Sequence, residues 1–127
     1  MNKLVGEKLS IITQKAQTTR HRIMGIVSGD DFQIVYSDTP GILNPKYKLH
    51  ESMMKFVSEA FEDADLLIYI HDITDNTENR HTIKKIKAAG KPVIIVINKI
   101  DLSTQEDLEE QVIYWQRLFP KSKVLPV

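Results

Sequence analysis

Val93-Ile94-Ile95-Val96-Ile97-Asn98-Lys99-Ile100-Asp101 is the stretch that decides the reading of this chain. Its five leading residues are apolar and all β-branched, which favours a strand. They do not alternate with polar residues, so the expected strand is buried on both faces, as in a parallel sheet covered by helices. The tetrapeptide N-K-x-D then falls at the carboxyl end of that strand, where open α/β sheets bind their ligands. A carboxylate at Asp101 can accept both the N1–H and the exocyclic amine of guanine in one charge-assisted bidentate pair. Adenine offers no such pair, and a site built on hydrogen bonds rejects the wrong partner by factors of about 10⁴. Asn98 can donate to guanine N7 or O6, and Lys99 can lay its aliphatic stem along the base. Standing alone, the tetrapeptide is an ordinary surface turn; the apolar run in front of it makes a base reader the better reading.

Upstream stands Asp38-Thr39-Pro40-Gly41, a D-x-x-G box at the end of a second expected strand. A carboxylate at Asp38 can hold Mg²⁺, usually through water, because that ion dehydrates reluctantly. Gly41 lets the backbone approach a terminal phosphate and donate its N–H. The box as a whole, with Thr39 and Pro40, is read as part of the nucleotide site. By itself it is a Pro–Gly turn, and its pairing with N-K-I-D is what argues against that. Thr18 and Thr19 lie in the loop ahead of the first hairpin. One threonine hydroxyl there can complete Mg²⁺ coordination when the loop closes on the nucleotide, and the ordering and release of such a loop is a switch. Thr19, beside Arg20, is the favoured one, with Thr18 as a nucleotide contact. Thr19 and Gly41 are the candidate catalytic residues, and Thr19 and Asp38 the candidate metal ligands. Arg20 and Arg22 have two readings, phosphate or RNA contacts and plain solvated charges. The four histidines lack metal-ligand spacing and are read as structural or surface residues.

The remaining sequence fits the same architecture. Residues 1–5 read as the tail of a helix stopped by Gly6. Residues 22–28 and 32–37, joined by Gly29-Asp30-Asp31, read as an antiparallel hairpin, and 38–48 as loop. Residues 51–61 are helical, with Met53, Met54, Val57, Ala60 and Phe61 as the core face. A strand at 66–70 and a helix at 78–89 precede the deciding strand. Ser103-x-x-Glu106 reads as a capping box opening a helix that carries Leu108, Val112, Trp115 and Leu118. Pro120 ends it, and 123–127 starts a last strand. Strands alternating with helices give the α/β class.

The chain has 127 residues, room for one domain, with 42% hydrophobic and 27% charged residues and a formal net charge of zero. That balance calls for neither nucleic acid nor an anionic membrane, although the first stretch is basic. There is no cysteine, so disulfides and thiolate metal sites are excluded. No apolar run reaches the about 20 residues of a membrane span, and the start has no signal-peptide pattern. No G-x-x-x-x-G-K-[ST] phosphate loop occurs in these residues.

Lys15-Ala16-Gln17-Thr18-Thr19-Arg20-His21-Arg22, followed by D-T-P-G and N-K-I-D, resembles the GTPase domain of the Era family across essentially the whole chain. The resemblance implies a P-loop NTPase (Ras-like GTPase) fold, a mostly parallel sheet flanked by helices, that binds GTP or GDP and hydrolyses GTP with Mg²⁺. It also implies a part in small ribosomal subunit maturation, with 16S rRNA and the 30S subunit as partners through a C-terminal KH domain. Its location would be cytoplasmic, with peripheral association at the inner membrane face. On this expectation residues 1–127 are a partial G domain, truncated at both ends. The first strand, the phosphate loop with its lysine, the last guanine box and the KH domain would fall outside it. The missing first strand would sit between the strand ending at Asp38 and the one at 66–70, leaving two unpaired edges and a marginally stable chain. Ile42 follows the D-x-x-G glycine where Ras-like enzymes keep a water-orienting glutamine, so another group, potassium or a partner would have to serve. Two further readings stay open: a non-enzymatic GTPase relic acting as a protein or RNA interaction module, and an unrelated nucleotide or phospho-acceptor α/β domain.

Overall fold

A computed structural model describes residues 2–7, 19–42, 46–75 and 80–127. They fall into two compact units, Met1–Asp63 and Ala64–Val127. The octapeptide residues before Thr19, Asn44 and Pro45 of the expected loop, and the first two residues of the expected 78–89 helix lie outside the described residues.

In the first unit, a short helix α1 (Asn2–Val5) ends at Gly6, whose φ of 81° and N–H to the Asn2 carbonyl (2.9 Å) make the expected stop. β1 (Ile23–Ser28) and β2 (Gln33–Asp38) form an antiparallel hairpin in which Ile26 faces Val35 and Ile23 faces Asp38. The returning strand reaches Asp38 itself, so the loop that follows is shorter than the sequence suggests. α2 (Lys48–Asp63) is longer than expected at both ends. Met53, Met54 and Val57 form its buried cluster, with Ile42 and Phe61 packed against it, as the helical spacing implies. The buried face begins a turn earlier, at His50, whose ring lies 3.8 Å from that of Tyr47.

The second unit is a parallel sheet in the order β3 (Leu67–Asp72), β4 (Val93–Asn98), β5 (Lys123–Pro126). Its helices are α3 (Arg80–Ala89) and α4 (Gln105–Leu118). α3 stops at Gly90, which takes a left-handed φ of 64°. Leu67, Tyr69 and His71 stand in register with Val93, Ile95 and Ile97 and share one face. α4 covers that face through Trp115, whose ring lies 5.3 Å from Tyr69 and 5.1 Å from His71. The other face departs from the expectation of two-sided burial. Ile68 and Ile70 stay exposed and Ile94 and Val96 half-buried, because the aromatic cover of α4 reaches one face only.

One capping assignment also moves. Ser103 closes a 3₁₀ turn (Ile100–Leu102), so the cap of α4 is Thr104, whose Oγ1 accepts the Asp107 N–H at 3.2 Å. Carboxylates at Glu106 and Asp107 in the first turn suit the positive end of the helix dipole. In α4 Trp115 alone is fully buried; Leu108, Val112 and Leu118 are half-buried. Among the described residues β2 is paired with β1, and β3 with β4. Among the described residues, no helix is long and apolar enough to cross a membrane.

Candidate functional site

In the second unit the chain leaves β4 at Asn98 and turns sharply. Lys99 adopts φ 65°, ψ 37°, a left-handed conformation that costs a residue with a Cβ about 1–2 kcal/mol. It is the one described non-glycine residue with positive φ. Strain of this kind persists where the surroundings over-determine it. Here the Leu102 N–H bonds the Lys99 carbonyl at 3.0 Å and the Ser103 N–H bonds that of Ile100 at 3.2 Å, closing a single 3₁₀ turn. The Ile73 N–H bonds the Asn98 carbonyl at 3.1 Å, tying the end of β3 to the box. Val127 donates to the Ile97 carbonyl at 2.8 Å, so the end of β5 lies against the same loop. Asn98, Lys99 and Asp101 thus sit together on one braced turn, with Asp101 exposed within the turn. The sequence expectation for these three positions matches their placement at a strand's carboxyl end.

Two residues of this turn's surroundings escaped the sequence reading. Asp72 ends β3 directly opposite Asn98 in register. Its Oδ2 meets Lys99 Nζ at 2.6 Å, and its Oδ1 accepts from the Thr74 hydroxyl at 2.7 Å and the Thr74 N–H at 3.0 Å. The hydrogen bond from Lys99, then those from Thr74, hold the Asp72 carboxyl down at about 2. The same contact raises Lys99. The signal was present as D-x-T at the end of an apolar run, the spacing of an Asx turn.

In the first unit, the D-T-P-G turn follows β2 immediately. Asp38 is half-buried at the strand end, Thr39 half-buried, Pro40 fully buried and Gly41 exposed. A Cβ built on Gly41 would meet no atom within 4 Å, and its φ is not in the left-handed region. The fold therefore does not demand a glycine there; what the missing side chain leaves clear is access to the backbone. Ile42 turns inward onto Met53, Met54 and Val57, so it is a packing residue that anchors the box to α2. Thr19 is half-buried ahead of β1, and Thr18 lies outside the described residues. Of the two arginines, Arg22 is used internally: Nε donates to Ser37 Oγ at 2.7 Å and Nη1 pairs with Asp63 at 2.5 Å. Arg20 is exposed. His21 packs its ring edge-on to Phe56 at 5.5 Å, which makes it structural.

Among the described residues no cluster of three or more His, Asp or Glu side chains could hold a metal ion alone.

The family model that matches residues 1–99 is described as 50S ribosome-binding GTPase. GTPase Era of Clostridium acetobutylicum is 36% identical over 129 aligned residues, covering 100% of this chain and 44% of that protein. The GTPase Era of Clostridium kluyveri is likewise 36% identical, and that of Clostridium perfringens is 34% identical over 99% of the chain. The chain spans less than half the length of these relatives, 43–44%. Among solved structures, translation elongation factor SelB from Methanococcus maripaludis, in complex with the GTP analogue GPPNHP, superposes with a TM-score of 0.67. It covers 86% of this chain and 24% of SelB at 17% identity, a likeness of fold.

Proposed function

Because the chain belongs to the GTPase family described as 50S ribosome-binding GTPase, we propose that it forms the guanine-nucleotide-binding part of an Era-like GTPase. The observation that carries this reading is the braced N-K-I-D turn at the carboxyl end of β4, with Lys99 held in the left-handed region. In the proposed complex Asp101 accepts the two guanine donors, Asn98 donates to the purine edge, and the stem of Lys99 floors the base. Gly41 presents its N–H to the γ-phosphate, with Thr39 and Pro40 shaping the turn and Thr18 contacting the nucleotide. Asp38 and Thr19 are the residues that would hold Mg²⁺; when bound, the ion offsets the charge that builds on the phosphates during transfer. Ile42 packs into the core, so the attacking water must be oriented by a group other than the residue after Gly41.

In this reading Thr19 engages the ion and Gly41 the γ-phosphate while GTP is bound, and hydrolysis releases both. A role in 16S rRNA maturation and 30S assembly, in the cytoplasm or at the inner membrane face, rests on the resemblance to Era. The non-enzymatic reading is less favoured because both nucleotide boxes keep their residue types and spacing.

Binding of fluorescent GDP and ADP to the full protein, with GTP turnover in Mg²⁺, tests the reading. GDP is expected to bind better than ADP by about 10⁴-fold. Equal affinity would overturn the proposal.

A further inference from the structure

We propose that Asp72 is a positioning residue of the guanine-reading turn, acting through Lys99. The inference rests on the reading of N-K-I-D as a base reader. It starts from the ion pair between Asp72 Oδ2 and Lys99 Nζ at 2.6 Å, made by the lysine whose backbone is strained.

A lysine that floors a purine must keep its stem extended and its ammonium clear of the ring. A free ammonium on a four-carbon stem samples many rotamers, and fixing it on binding costs side-chain entropy. Asp72 fixes it beforehand. Its carboxylate is itself fixed, since Thr74 donates to Oδ1 from both hydroxyl (2.7 Å) and backbone N–H (3.0 Å). The aspartate cannot turn away to follow a mobile lysine; the lysine must come to it. Register does the rest. Asp72 and Asn98 are partners across the parallel β3–β4 pair, and the Ile73 N–H bonds the Asn98 carbonyl. The anchor and the reader are therefore carried by adjacent strand ends.

Both side chains are partly solvent-exposed, 34% for Asp72 and 51% for Lys99. An exposed pair of this kind adds little to global stability. Its contribution is geometric: it fixes the Lys99 side chain beside the turn that carries Asn98 and Asp101.

The test uses the full protein and fluorescent GDP, with Asp72→Asn, Lys99→Met and the double variant. Asp72→Asn is expected to weaken GDP roughly tenfold, mainly through faster release, with the unfolding midpoint little changed. The double variant should bind no more weakly than Lys99→Met alone, since Asp72 acts through the lysine. Asp72→Glu, which keeps the charge, should recover part of the loss. Wild-type affinity in Asp72→Asn, or a double variant showing the product of both losses, overturns the inference while the base-reader reading stands. Failure of the wild type to prefer GDP over ADP overturns the reading and this inference with it. Should Asp72→Asn fail to fold, Thr74→Val, which removes one of the two bonds to Oδ1, decides. A loss of about threefold supports the role, and unchanged binding overturns it.

Discussion

Replacing Trp115 separates two contributions that one side chain makes to the unit carrying the base reader. The indole is 1% exposed and lies between rings of Tyr69, His71, Tyr114 and Phe119, with centroids 5.1–6.3 Å away. Truncation to alanine removes this contact and leaves a cavity, so Trp115→Ala should cost about 3–5 kcal/mol. Phenylalanine keeps a ring in place. The lost ring atoms are worth about 1–2 kcal/mol of transfer free energy at roughly 0.8 kcal/mol per methylene equivalent. Against that, the indole Nε1 is buried with no hydrogen-bond partner among the described residues. Removing an unsatisfied buried donor returns about 1–3 kcal/mol. The two terms nearly cancel, so Trp115→Phe is expected within about 1 kcal/mol of wild type. The assay is urea denaturation followed by far-UV circular dichroism, because Trp115 is the sole tryptophan and both variants abolish its fluorescence. A Trp115→Phe midpoint as low as that of Trp115→Ala would refute the reasoning and show that Nε1 has a partner.

Three further outcomes follow from the same structure. Burial lowers the titration of His71 below its ordinary 6.5, with Asp75 and Asp72 opposing in part. The unfolded chain then takes up a proton that the folded chain resists, so stability is full above pH 6.5 and declines as the medium becomes acid. His71→Phe should flatten that decline in denaturation curves taken at neutral and mildly acid pH; an unaltered slope would assign it elsewhere. Gly41→Ala should leave the unfolding midpoint within the about 0.5 kcal/mol of an ordinary surface change, because its Cβ meets nothing and φ is unstrained, yet reduce GTP turnover. Gly90→Ala, at φ +64, should cost about 1 kcal/mol in the same denaturation assay with turnover retained; the reverse pattern would remove Gly41 from the site.

Local chemistry was legible in the sequence wherever one segment settles its own structure. The run 93–97 announced β4, the spacing of Met53, Met54, Val57 and Ala60 announced the buried face of α2, and Gly6 and Gly90 marked helix ends. What failed depended on neighbours. The apolar residues Ile68 and Ile70 looked like core because hydrophobicity reports what a face tolerates, not what covers it. The cap of α4 shifted from Ser103 to Thr104 because the 3₁₀ turn after the base reader claims Ser103 first. Asp72 was missed because its role arises from pairing across strands that lie 26 positions apart in register, Asp72 opposite Asn98. Arg22 had an open reading as an anion contact until Ser37 and Asp63 took its guanidinium.

The central claim is that Asp101 reads guanine. Asp101→Asn replaces a double acceptor by an amide that donates to the carbonyl xanthine carries in place of the guanine amine, and still accepts from N1–H. Dissociation constants of the full protein and this variant for GDP and xanthosine diphosphate should exchange order, with the preference moving by on the order of 10³-fold. An Asp101→Asn variant that keeps the wild-type preference for GDP would contradict the account.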